Sequence, residues 1–67
     1  MRILIDLTAL ADNFSGLERY ALNISLNLVR NDSKNDYILI FKNSVFKDFY
    51  EIIKKKNVTY KIIKGKN

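Results

Sequence analysis

Two short runs, Ile3-Leu4-Ile5 and Tyr37-Ile38-Leu39-Ile40-Phe41, are apolar with no alternation between hydrophobic and polar residues. A strand of that kind is buried on both faces, as strands inside a parallel sheet are. Parallel neighbours must be joined by a crossover of a dozen or more residues, and the stretch between the runs supplies one. Leu17, Tyr20, Ala21, Ile24 and Leu28 recur at helical spacing, and Leu22, Leu26 and Val29 form a second stripe roughly opposite. The spacing predicts a helix from Gly16 to about Asn31. The polar cluster Asn31 to Asp36 stops it. A helix apolar on two sides is expected to lie between its own sheet and something else.

The remainder repeats the theme. Asn43 or Ser44 can cap a second helix from about Val45 to Lys55, with Phe46, Phe49 and Ile53 on one stripe beside Val45 and Ile52. Lys54-Lys55-Lys56 then meets the negative end of that helix, and Asn57 suits a left-handed C-cap. Val58, Tyr60 and Ile62 alternate with Thr59, Lys61 and Ile63, which fits an edge strand. Lys64 to Asn67 reads as a frayed tail. The predicted fold class is therefore α/β, in the order β-α-β-α-β. With right-handed crossovers, the three strands form a parallel sheet with both helices on one face, which is half of a Rossmann-like domain. The other face and the outer edge of the first strand would be uncovered. A patch of that kind is expected to be covered by another polypeptide, so a homo-oligomer is expected if the chain stands alone.

Composition narrows the options. At 67 residues the chain makes at most one small domain, and such a domain buries only about 60% of its unfolded surface. There is no Cys and no His, which excludes disulfides and the common zinc sites. Hydrophobic residues at 48% exclude a disordered chain. No apolar run approaches the roughly 18 residues of a membrane span. The single basic residue before Ile3 and the early Asp6 do not make a signal peptide. A cytoplasmic location is expected. The charge is lopsided: residues 1–41 hold four cations against five carboxylates, and residues 42–67 hold eight Lys against Asp48 and Glu51. An anionic surface could attract the second part, and Phe46, Phe49 and Tyr50 with Lys47 and Lys54 to Lys56 could place a helix at the inner face of a membrane. Core packing explains the same aromatic spacing more simply. No nucleic-acid-binding motif is present, so a nucleic-acid partner is not expected.

The candidate site lies where the first strand hands over to the first helix. Asp6 ends the strand, the position where α/β proteins place ligand sites; its carboxylate could equally cap the loop that follows. Ser15 and Glu18 have capping-box spacing, which accounts for both without a ligand. Gly16 either brings a backbone amide close to an anionic ligand or eases a tight turn. Arg19 reads as a solvated helix residue. With Gly16 and Gly65 the only glycines, the Gly-x-Gly-x-x-Gly of a nicotinamide site is absent. No catalytic residue, metal ligand or cofactor follows from the residues.

The segments Met1-Arg2-Ile3-Leu4-Ile5-Asp6 and Ser15-Gly16-Leu17-Glu18-Arg19-Tyr20-Ala21-Leu22-Asn23, followed by Asn35-Asp36-Tyr37-Ile38-Leu39-Ile40-Phe41, carry a resemblance. In order and spacing the chain resembles the N-terminus of the GT-B retaining glycosyltransferases of the group 1, or GT4-like, family. That resemblance covers nearly the whole chain. It implies the first part of an N-terminal, acceptor-binding domain of an enzyme that transfers a sugar from a nucleotide-sugar donor to a saccharide or lipid-linked acceptor. It also implies that Gly16 is the loop glycine near the donor diphosphate, with Asp6, Ser15 and Glu18 nearby. Family members often carry two adjacent glycines where Ser15-Gly16 stands here. The family's glutamate pair belongs to a second domain, and the only glutamates here are Glu18 and Glu51. The 67 residues are therefore expected to be inactive alone. A small self-associating α/β module without catalysis is the alternative expectation.

Overall fold

A computed structural model describes residues 1–10 and 16–65, with backbone only for 16–18. Strand β1 (Arg2–Asp6) leads through a 3-10 turn at Thr8–Leu10 to helix α1 (Gly16–Asn31). Strand β2 (Asp36–Lys42) follows, then two 3-10 turns at Lys47–Phe49 and Ile52–Lys54, then strand β3 (Val58–Ile63). The sheet order is β1-β2-β3, parallel throughout. Register pairs Ile3 with Tyr37 and Ile5 with Leu39, and pairs Tyr37, Leu39 and Phe41 with Val58, Tyr60 and Ile62. These side chains share one face, and the core lies against it.

Both crossovers pack on that face. Leu22, Leu26 and Val29 of α1 join Tyr37, Leu39, Phe41, Phe49, Ile52 and Val58 in one buried cluster. The fold class expected from the pattern is thus the one observed, with β2 central and β1 and β3 at the edges. The second crossover is wound differently from the expected helix over Val45 to Lys55. Its hydrogen bonds run from residue i+3 back to i: Phe49 N to Phe46 O at 2.9 Å, Tyr50 N to Lys47 O at 3.1 Å, and Lys55 N to Ile52 O at 3.1 Å. Aromatic and β-branched residues dominate the segment and lose rotamer freedom in an α-helix. The spacing Phe46, Phe49, Ile52 is three residues per turn, which a 3-10 turn stacks on one side. Phe41 anchors this segment, with the rings of Phe46 and Phe49 each 5.6 Å away in edge-to-face contact. Phe46 and Phe49 therefore serve the core.

Three smaller expectations also change. Asn43, not Asn57, takes the left-handed conformation, at φ 70°, and Ser44 N closes the turn on Lys42 O at 2.8 Å. Asn57 instead donates its side-chain amide to Asp32 O and Asn35 O, both at 2.8 Å. The tail is held as far as Gly65, whose N–H donates to Asn43 Oδ1 at 2.9 Å. A Cβ at Gly65 would come within 2.6 Å of Lys42 Cε, the far end of a flexible side chain that can shift aside.

The uncovered surfaces are where the sheet geometry puts them. Leu4 is 62% exposed and Ile63 52% on the face away from α1, with Ile38 and Ile40 half-buried between them. On α1 the sheet takes the stripe of Leu22, Leu26 and Val29, leaving Tyr20, Ile24 and Leu28 exposed.

Candidate functional site

In a parallel sheet all strand C-termini reach one rim, and α/β ligand sites form along it. Here that rim carries Asp6 and Thr8 after β1, the Lys42-Asn43-Ser44 turn after β2, and Gly65 beyond β3. Helix α1 runs back from the same rim, and Gly16 is its first residue. A helix N-terminus offers amides and the positive end of a dipole to an anion.

Asp6 is committed to its own loop. The Thr8 hydroxyl and amide both donate to Asp6 Oδ1, at 2.7 and 2.9 Å. These two bonds hold the carboxyl below its ordinary range. The structure thus places Asp6 at the strand end as expected and shows it closing an Asx-type turn. Gly16 lies at the helix start. Ser15 and the Glu18 side chain fall outside the described residues, as does the capping box between them. Arg19 is exposed.

The most connected polar group lies at the opposite rim. Asp32 accepts from Lys34 N at 2.8 Å, Asn35 Nδ2 at 2.7 Å and Tyr37 Oη at 2.6 Å. These donors, Tyr37 foremost, hold the Asp32 carboxyl far below its ordinary range. The same bond pushes the Tyr37 phenol up to about 12. Lys55 donates to Val29 O at 2.7 Å, Arg30 O at 3.1 Å and Asp32 O at 3.2 Å. One ammonium thereby caps the last carbonyls of α1, where a cation meets the negative end of the helix. The lysine run expected to cap its own helix caps the other one. A shallow hollow of about 270 Å³ opens nearby, lined by Arg2, Asp36, Tyr37, Ile38, Lys56, Asn57 and Thr59. It lies at the strand N-termini, away from the rim where strand-to-helix loops gather ligands. The Asp32 bonds also explain its neighbours structurally, so we assign the hollow no role.

Sequence reasoning missed the Asp32–Tyr37–Lys55–Asn57 group. Its one local signal was Asp32 three residues before Asn35, which reads only as a turn. The Lys55 contacts span 23 to 26 residues and leave no local trace.

Chemically, the C-terminal rim offers hydrogen-bond donors and one oriented carboxylate. Among the described residues, no group of three or more acidic, His or Cys side chains could hold a metal. No described helix is long and apolar enough to cross a membrane. Comparison with protein-family models, with curated proteins and with solved structures gives no match to this chain.

Proposed function

We propose that this chain forms one wall of a glycosyltransferase cleft: the opening β-α-β-α-β of a GT-B acceptor-binding domain. The reaction is transfer of a sugar from a nucleotide-sugar donor to a saccharide or lipid-linked acceptor in the cytoplasm, at or near the inner face of the membrane. The observation that carries it is the ordered run of β1 ending in Asp6, Gly16 opening α1, and β2 joined in parallel. Gly16 offers its amide to the donor diphosphate, and Ser15 and Asp6 are the other two ligand-binding residues in this reading. Donor recognition and chemistry belong to a second domain, so the 67 residues bind weakly and do not turn over.

Amide chemical shifts, followed during titration with uridine diphosphate glucose and guanosine diphosphate mannose, provide the test. Shifts confined to Thr8, Gly16 and Leu17 support the proposal. No shifts at millimolar ligand, or shifts confined to Arg2, Lys56 and Thr59, would sink it. Turnover of either nucleotide-sugar by the purified chain would refute the division of labour.

One observation favours a second reading, a non-catalytic module that self-associates. Apolar side chains are exposed both on the outer sheet face, at Leu4 and Ile63, and on α1, at Ile24 and Leu28. A single small domain seldom leaves two such surfaces open.

A further inference from the structure

Among the described residues, β1 and β3 each have one edge with no strand beside it, and the two edges differ in what they can accept. Asp36 N donates to Met1 O at 2.9 Å, and Leu7 N donates to Ile40 O at 2.8 Å. Backbone groups alternate sides along a strand, so residues 1, 3, 5 and 7 turn theirs toward β2. Arg2, Leu4 and Asp6 consequently present their N–H and C=O groups to the open edge. On β3, Asn57 O and Ile63 O accept from Tyr37 N and Asn43 N, so Val58, Tyr60 and Ile62 face the other open edge.

We propose that the β1 edge docks antiparallel on β1 of a second copy of this chain, with the two-fold axis at Leu4. In an antiparallel pair, the residues that exchange both backbone bonds lie directly opposite. Centring on Leu4 sets Leu4 against Leu4 of the second copy and Arg2 against its Asp6, twice by symmetry. All three edge-facing residues of each copy are then bonded, giving six backbone hydrogen bonds by this pattern. Shifting the axis to Ile3 or Ile5 leaves one edge residue of each copy unpaired and sets a charged residue against Leu4. Only the Leu4 register brings opposite charges together on both sides. Arg2 and Asp6 are both exposed, and the two Thr8 bonds to Asp6 both fall on Oδ1, so neither uses its other oxygen. On the core face, Ile3 meets Ile5 of the second copy, and each is only partly buried in a single chain.

The β3 edge is unsuited to the same use. Centring two copies on Tyr60 sets Lys56 against Lys64, and residues 56–64 hold three Lys and no carboxylate. Like charges directly opposite oppose pairing, and edge lysines guard a strand against it. The β1 pairing therefore closes at two copies, as a six-stranded sheet with a lysine-guarded strand at each end.

Sedimentation of the chain without nucleotide tests this independently of the glycosyltransferase proposal. The wild-type chain is expected to dimerise at micromolar concentration. Arg2→Glu alone and Asp6→Lys alone each create two repulsive pairs. Each should raise the dimer dissociation constant about tenfold to thirtyfold. Mixed in equal amounts, they should dimerise again, because both cross-strand pairs are then opposite in sign. Leu4→Cys should cross-link on oxidation, because opposed hydrogen-bonded residues lie about 5.5 Å apart at Cα. Circular dichroism checks each variant's fold; should Asp6→Lys unfold with the loss of its Thr8 bonds, Arg2→Glu and the Leu4→Cys cross-link decide. A monomeric wild type overturns the proposal. So does a dimer indifferent to Arg2→Glu, or a mixture no stronger than its components.

Discussion

Replacing Lys55 with Met keeps an unbranched stem and removes the ammonium that closes the C-terminus of α1. Three carbonyls lose a donor: Val29 O at 2.7 Å, Arg30 O at 3.1 Å and Asp32 O at 3.2 Å. Only the first has the short length of a strong charge-assisted bond. Two of the three contacts are part-buried and one is exposed, so water can recover some of the loss. One strong bond contributes about 1.5 kcal/mol, and the charge at the helix end about 0.5 kcal/mol more. The expected loss is therefore about 2 kcal/mol, a fall in Tm of about 8–16 °C for a domain of this size. Lys54 is the control. Its ammonium is on the surface, 3.4 Å from Glu51, with side chains 72% and 86% exposed; such a pair contributes about 0.5 kcal/mol or less. Urea denaturation followed by far-ultraviolet circular dichroism, at fixed chain concentration because assembly is linked to folding, measures both. If Lys55→Met destabilises no more than Lys54→Met, the cross-chain cap is not what holds the end of α1.

Two further outcomes follow from the same packing. The Tyr37 phenol is raised to about 12 by its bond to Asp32, so its phenolate absorbance should appear late in an alkaline titration, and Tyr37→Phe should remove that late component. A raised tyrosine contributes stability in full below about pH 10, and that contribution falls as pH rises toward about 12. Asp32 is lowered, so its contribution is present above about pH 4 and drains away as pH falls below that; Tyr37→Phe should flatten both limbs of a denaturation profile. Phe49 is fully buried between Phe41 and Phe46, and Phe49→Ala should cost about 3–5 kcal/mol, enough to unfold a domain this small. Tyr50→Ala, at 53% exposure, should change the urea midpoint little. Equal effects of the two would show that the second crossover does not pack as described.

Much of the fold was legible because the chain alternates two local signals. Apolar runs without a period mark β1 and β2, and a 3.6-residue period marks α1. The uncovered face was legible too, since a sequential three-stranded sheet with right-handed crossovers leaves one side open. The second crossover was misread because its apolar positions are consistent with a period of 3.6 and equally with 3.0. The edge-to-face contacts of Phe46 and Phe49 with Phe41 decide between those, and no local pattern records them. The candidate site was legible only as a location. Asp6 at a strand end can be read from order alone, but its bonds to Thr8 depend on how the loop turns.

By itself, the sequence determined the order of elements, the parallel sheet and the excess of Lys in residues 42–67. These depend on neighbours within a few residues, where side-chain period and turn chemistry act directly. Tertiary structure alone decided which stripe of α1 faces the sheet, since both stripes are apolar enough to be buried and only one can fit over β2. It also decided that Lys55 closes α1 rather than its own segment, because the carbonyls of a helix end can be reached by any donor that the fold brings near, whatever its distance along the chain.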